Sequence, residues 1–452
     1  MSTISPTKES SIPIGQAAFP KPFYQGLEFN PPAHGSWNIV HIGMLLPQAR
    51  QIYVCAANCM RGVVLTAAEM KASDRFSFVL LEESDLTMGS LETATIEGVS
   101  ACLDQLEKKP PVVLLFTVCI HHLLGCDLDY VYRTLGQRYP DIYFCRCYMD
   151  PLLQKSHPTP DQKLRMAMYD PIAPREVHPG TISLIGSEFV LPDSCDIYGI
   201  FTLISGDSSF FTLKELPACG TYQEYRSMGE SSLFLANSPG ACMALERLAR
   251  RCGRPCLYLP MSFSYEEIAS EWEQLYAALT DPDTHDRQKD ELQTAIESEI
   301  TECDLALEKL KNLTRDTEIR IDYTFHPRPL GLARLLLEHG FHVTTVYIDV
   351  ISGEEEADFY NLKETYPSLT LVSTVQTEAR IRERNCPDVL AVGQKAAWFS
   401  GTKHFVNAVG GAGLFGFDGI KRTARLMEEA YLTEKDTEKS IIRKGWGCES
   451  CV

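Results

Sequence analysis

Apolar residues in this chain come in short blocks, separated by longer stretches in which they recur every three or four positions. That alternation predicts strands and helices taken in turn. The block Val112–Val118 is the clearest: mostly apolar, preceded by Pro111 and too short for a long helix, it reads as a buried strand. Around it the pattern predicts strands near 52–54, 76–81 and 142–147 and helices over 60–71, 91–107 and 128–137. Strands and helices of this length in alternation indicate βαβ units on a parallel sheet.

A second set follows, with strands predicted at 181–186 and 197–206, a short helix at 212–216, then strand, turn, helix, turn and strand through 231–260. Asn237-Ser238-Pro239 is a good helix start there. The third set opens with two long polar helical segments, 264–279 and 287–312. Strand 319–324, helix 330–339 with a Gly340 stop, strand 343–348, strand 369–373, a helix near Glu378, strand 389–392 and helix 420–431 complete it. The expected fold class is therefore α/β, three tandem Rossmann-like domains with parallel sheets. Their boundaries fall at a disordered arm over 1–14, a first domain over 15–174, a second over 175–263, the helical segment plus third domain over 264–440, and a flexible tail over 441–452.

Composition narrows the function classes. At 452 residues, 44% hydrophobic and 23% charged, the chain has the make-up of a soluble globular protein, and its formal net charge of -18 argues against nucleic acid or an anionic membrane as its partner. The absence of an 18-residue apolar run and of a signal-peptide pattern makes the cytoplasm the expected location. Sixteen cysteines in such a chain read as core thiols, metal ligands or redox groups rather than a disulfide framework.

In a parallel sheet, ligands bind at the carboxyl ends of the strands. The strand ending at Val118 is followed by Cys119, His121, His122 and Cys126, and the strand near 52–54 by Cys55 and Cys59. Cysteines at such ends are candidate metal ligands, while His121 and His122 are candidate proton donors. Cys448 and Cys451 form a lone CxxC, short of the second pair a zinc site needs. The glycine-rich stretch Ala408–Gly419 matches no phosphate-loop pattern. Gly410, Gly411, Gly413 and Gly416 instead allow close backbone approach to a bound cofactor or substrate, or simply make a turn.

Taken together, the spacing of Cys59 and Cys119, the string TVCIHHLLGCDLDYV, the strand ISLIG, the helix SPGACMALERLARRCGRP and the closing GLFGFDGIKRTARLM resemble the nitrogenase component 1 family over about residues 33–431, closest to its α-type subunits. That family spans nitrogenase subunits, cofactor-assembly scaffolds and tetrapyrrole reductases.

The resemblance implies an iron-sulfur cluster held at a subunit interface, with Cys59 and Cys119 as two of its ligands. The third family cysteine falls near Ala33, where the chain reads Ala33-His34-Gly35. His34 and Cys55 are the candidates to complete the site, and a 4Fe-4S cluster shared with a partner is the expected cofactor. The family's ligands to the catalytic iron-molybdenum cofactor fall near Asn237 and Val406, with His404 out of register and Cys242 one turn along the helix, so neither is in place. An additional metallocofactor of another kind stays open. The implied function is that of a nitrogenase-like iron-sulfur oxidoreductase subunit. It would pair with a second subunit of the same fold and receive electrons from an ATP-dependent iron-sulfur reductase homodimer. A metallocofactor assembly scaffold and a cluster-free binding or regulatory module of the same fold are the alternatives.

Overall fold

The short apolar blocks become strands because only a sheet covered on both faces can bury every residue of such a run. In the computed structural model, which describes residues 6–24, 39–87, 89, 91–153, 157–206, 208–280 and 282–442, the strands are β1 (Ser11–Pro13), β2 (Ala49–Cys55), β3 (Phe76–Leu80), β4 (Val112–Val118), β5 (Tyr143–Met149), β6 (His178–Leu184) and β7 (Thr212–Glu215). They continue as β8 (Ser231–Ala236), β9 (Cys256–Tyr258), β10 (Ile319–Asp322), β11 (Val343–Tyr347), β12 (Thr370–Val372), β13 (Leu390–Val392) and β14 (Phe405–Val406).

They make three sheets, as expected for three Rossmann-like layers, with orders β3-β2-β4-β5, β7-β6-β8-β9 and β1-β12-β11-β10-β13-β14. Every pairing in the first two is parallel. In the third, only β1 runs antiparallel, on the edge beside β12. The described chain falls into two compact units. One, within 37–190 and 211–260, holds the first two sheets; the other, within 191–210 and 261–444 together with the N-terminal residues, holds the third.

In the first sheet all seven residues of β4 are buried. Its period-2 alternation splits them between two cores: Leu114 and Phe116 join Tyr53, Cys55, Cys145 and Cys147 on one face, while Val113 and Leu115 join Ile52, Val54 and Val79 on the other. The Tyr53 and Phe116 rings stack with centroids 4.3 Å apart.

Two local expectations are corrected. The stretch 197–206 is not a strand but the helix Asp196–Ser205, closed by Gly206 at φ 80. Its Ile197, Ile200 and Phe201 are buried at helical spacing, a period hidden by a composition rich in β-branched and aromatic residues. Residues 212–216 form the edge strand β7 rather than a helix, because pairing with β6 overrides local propensity. In the described part of the N-terminal segment, Ser11 pairs with Val372 and Ile14 is fully buried. The helix Gln394–Ser400 and strand β14 were not anticipated. The two long polar helices do form, as Tyr265–Leu279 and Pro282–Thr314. The expected tail beyond residue 442, with Cys448 and Cys451, lies outside the described residues.

Candidate metal centre

The first strand of the first sheet, β2, sits between β3 and β4, with Tyr53 opposite Phe116. The chain leaves β2 for one side and returns to the other, so the carboxyl ends of β2 and β4 flank a topological switch point, where doubly wound sheets bind ligands. Cys55 is the last residue of β2, and Cys59 follows in the first turn of the helix Ala57–Glu69. Ala56 offers that helix no side-chain cap, and the Cys59 N–H donates to Ala56 O at 3.0 Å; helix starts of this kind favour negative charge. Cys119 directly follows β4 as the first residue of the helix Cys119–Leu123.

The three thiols differ in access. Cys59 is exposed, Cys119 half-buried and Cys55 fully buried. Burial, with a smaller contribution from the charge at Cys59, pushes the Cys55 thiol up to about 12. Cys55 therefore sits in the core as a neutral thiol facing Cys59. Leu80, in register with Cys55, is 55% exposed, and Leu123 and Leu124, just past Cys119, are 68% and 55% exposed. Among the described residues no three His, Cys, Asp or Glu side chains gather in a metal-binding group. Cys55, Cys59 and Cys119 are thus not a closed set. His34 lies outside the described residues.

The two histidines part company. His122 is exposed. His121 is 2% exposed; its Nδ1 accepts the Val118 N–H at 3.3 Å and its Nε2 lies 3.3 Å from Thr95 Oγ1. Burial lowers its imidazole to about 4, so at neutral pH it is uncharged. Both ring nitrogens of His121 are thus turned to groups of the chain itself. Beside it, burial and then the Glu92 charge raise the Cys126 thiol to about 12, while Glu92 accepts the Asp127 N–H at 2.7 Å.

The glycine-rich loop bonds to its own chain. The N–H groups of Gly410 and Gly411 donate to the carbonyls of Thr324 and Phe325 at 2.9 and 2.8 Å. Gly410, Gly411, Gly413 and Gly416 all have positive φ. A Cβ on Gly416 would come 2.1 Å from Asp196 Oδ2. Asp196 accepts the N–H groups of Phe417 and Asp418 at 2.7 and 2.9 Å and the indole N–H of Trp272 at 2.8 Å. The start of the helix Gly416–Leu432, where an anionic ligand would otherwise bind, is occupied by a carboxylate of the chain itself. Of the positions near which other family members carry cofactor ligands, Asn237 is 5% and Val406 1% exposed, and His404 is bonded to Ala430 O through Nδ1.

A second cluster was missed. At the switch point of the third sheet, between β10 and β13, Lys395 is fully buried; its Nζ donates to Tyr323 OH and, at 3.1 Å, to Thr374 Oγ1. Asp322 accepts the N–H groups of Ala396 and Thr324, both at 2.6 Å. Asp349 accepts from Thr374 N–H and Oγ1 at 2.7 and 2.6 Å. Burial lowers the Lys395 ammonium, and the two aspartates pull it back up. The signal was present: a short apolar run, Gly393 and a following polar pair mark a strand giving way to a helix. The second sheet has a comparable plug, where buried Arg165 donates to Gly186 O, Glu188 and Asp161 at 2.6, 2.5 and 3.1 Å.

Comparison with known proteins adds the family. The family model described as nitrogenase component 1 type oxidoreductase matches residues 54–430. No curated protein sequence matches the chain. Among solved structures, one described as nitrogenase Cp1 at pH 6.5 is similar with a TM-score of 0.63 at 13% identity, over 90% of this chain and 94% of that one. Another, nitrogenase Cp1 at pH 5, gives 0.59 at 11% identity over 93% of each.

Proposed function

This chain belongs to the nitrogenase component 1 type oxidoreductases, and from that premise we propose that it is an electron-transferring subunit in which Cys59 and Cys119 hold one side of a 4Fe-4S cluster. The observation that carries the reading is the pair of accessible thiols at a sheet switch point, rimmed by exposed leucines. Iron-sulfur clusters of this kind take four thiolates, and the two accessible ones make half a set. The other half comes from a second subunit of the same fold seated on Leu80, Leu123 and Leu124, with His34 and Cys55 as this chain's reserve ligands. Burying those leucines against a partner would exclude water from the cluster as well as hold the pair together.

When bound, the cluster supplies one-electron transfer. The chain's own residues hold it at the edge of a rigid sheet and keep solvent away. Electrons come from an ATP-dependent iron-sulfur reductase, and the product is a reduced substrate or metallocofactor. The iron-molybdenum cofactor has no place in this reading, since Asn237 and Val406 stand where its ligands would be. No helix among the described residues is long and apolar enough to cross a membrane, and we place the complex in the cytoplasm.

The test is iron and acid-labile sulfide on the anaerobically purified complex, beside a Cys59→Ala/Cys119→Ala variant. About four irons per cluster site in the native complex and none in the variant is the expected result. Iron-free native complex would make the chain a binding module of the same fold.

A further inference from the structure

We propose that His121 is a positioning residue that fixes Cys119, an inference resting on the reading of Cys119 as a cluster ligand. The helix Cys119–Leu123 is five residues long, too short to be stable without outside help. Helix starts leave backbone N–H groups unpaired, and one remedy is a capping box, in which a Glu or Gln at the third helical position accepts the N–H of the residue before the helix. Here that residue is Val118 and the third helical position is His121, whose Nδ1 takes the Val118 N–H at 3.3 Å. An imidazole thus does the work of the usual Glu or Gln.

The other side of the ring is anchored as well. Because Nδ1 accepts, the ring proton sits on Nε2 and faces Thr95 Oγ1 at 3.3 Å. The Thr95 hydroxyl spends its own proton on Leu91 O at 2.8 Å, so its oxygen is left to accept from His121. The result is a directed chain from the Val118 N–H through the imidazole and the Thr95 hydroxyl to a carbonyl of the helix Leu91–Asp104. Thr95 is 0% and His121 2% exposed, so water does not compete for these bonds. Cys119 lies between the two residues that the first bond joins. Its backbone is therefore tied to a neighbouring helix, and its half-buried side chain starts from a fixed base. Such outer partners orient metal ligands and tune the bound group without touching it.

The test compares His121→Leu, which keeps apolar bulk but no acceptor, with His121→Gln, which restores the ordinary capping-box acceptor. Amide hydrogen exchange of Val118–Leu123 in the full cluster-free chain reads the positioning directly. The anaerobic complex with its partner subunit reads the consequence in the cluster's paramagnetic-resonance line shape and midpoint potential. His121→Leu should exchange about tenfold faster over this stretch, broaden the resonance and shift the potential, and His121→Gln should recover most of each. Wild-type exchange and line shape in a folded His121→Leu protein would overturn the proposal. If His121→Leu does not fold, Thr95→Val cuts the far anchor alone, and unchanged exchange there overturns it equally. A wild-type complex without iron would sink the cluster reading, while the exchange comparison would still decide whether His121 holds the turn.

Discussion

At the first sheet, the two strands that flank the switch point are followed by thiols that reach solvent, Cys59 and Cys119; at the third sheet, they end in Asp322 and in a turn that buries Lys395 completely. Both edges come from the same doubly wound plan, in which the crevice beyond the strand ends is open by construction. At the third it is closed by side chains: a buried lysine, two aspartates, a tyrosine and two threonines satisfy one another in a place where an unpaired charge would cost several kcal/mol, on the order of the penalty for any desolvated ion. At the first, the buried hydrogen-bond chain through His121 and Thr95 carries no buried lysine or aspartate, Cys59 stays exposed, and leucines stay exposed beside it. A switch point filled by the chain's own hydrogen-bonded polar and charged side chains holds the sheet together. One left open, with thiols and apolar side chains around it, is set up to receive something from outside.

Breaking the filled edge should cost the most. Asp322→Ala strands the N–H groups of Ala396 and Thr324 and leaves Lys395 with less counter-charge, and urea denaturation should show a loss of about 4 kcal/mol.

The unit carrying the third sheet also holds Glu271, 5% exposed, with no hydrogen-bond partner for either carboxylate oxygen among the described residues. Burial, and then the charge of Glu267, raise it to about 9; Arg328 opposes the shift, while Asp196 and Glu354 add to it. The folded state therefore keeps a proton that the unfolded chain loses near its ordinary value of 4.5. Stability from this group is fully present below about pH 4.5 and falls as pH rises toward about 9. Glu271→Gln should flatten that decline in thermal melts across this range. A variant that melts like the wild type at both ends would show that the carboxyl is already ionised and solvated.

Gly416→Ala sets a methyl against Asp196 at a φ of +61 and should cost about 2 kcal/mol by the same denaturation assay. Smaller effects sharpen the contrast inside the first sheet. Cys55→Ser puts a hydroxyl into the apolar cluster around Tyr53 and should cost about 1–2 kcal/mol, whereas Cys59→Ser, on the surface, should stay within about 0.5 kcal/mol while lowering iron content. Equal stability losses at the two cysteines would mean that the edge is as sealed as the third.

Much of this was legible beforehand where the evidence was local. The run Val112–Val118 could only be a strand buried on both faces, and the order of apolar blocks was enough to expect three parallel sheets. Cys59 and Cys119 were singled out because each follows a strand. The failures have physical causes. Asp196–Ser205 was read as a strand because its residue types suit either state and only its packing period decides. The burial of His121 was not legible, because nothing in the neighbouring letters says that Thr95, 26 positions earlier, closes over it. The glycines of Ala408–Gly419 left a ligand and a simple turn both open, because their need for positive φ is the same whether the nearby group is a cofactor or Asp196, more than two hundred residues away in sequence.

The sequence by itself determined which segments alternate between strand and helix, since burial period is written in neighbouring residues, and it determined that thiols follow two of those strands. Only the tertiary structure decided which strand ends meet, which thiol is buried and which accessible, and which of the equivalent crevices are filled. Those outcomes depend on hydrogen bonds and desolvation between residues far apart along the chain, and no local pattern encodes them.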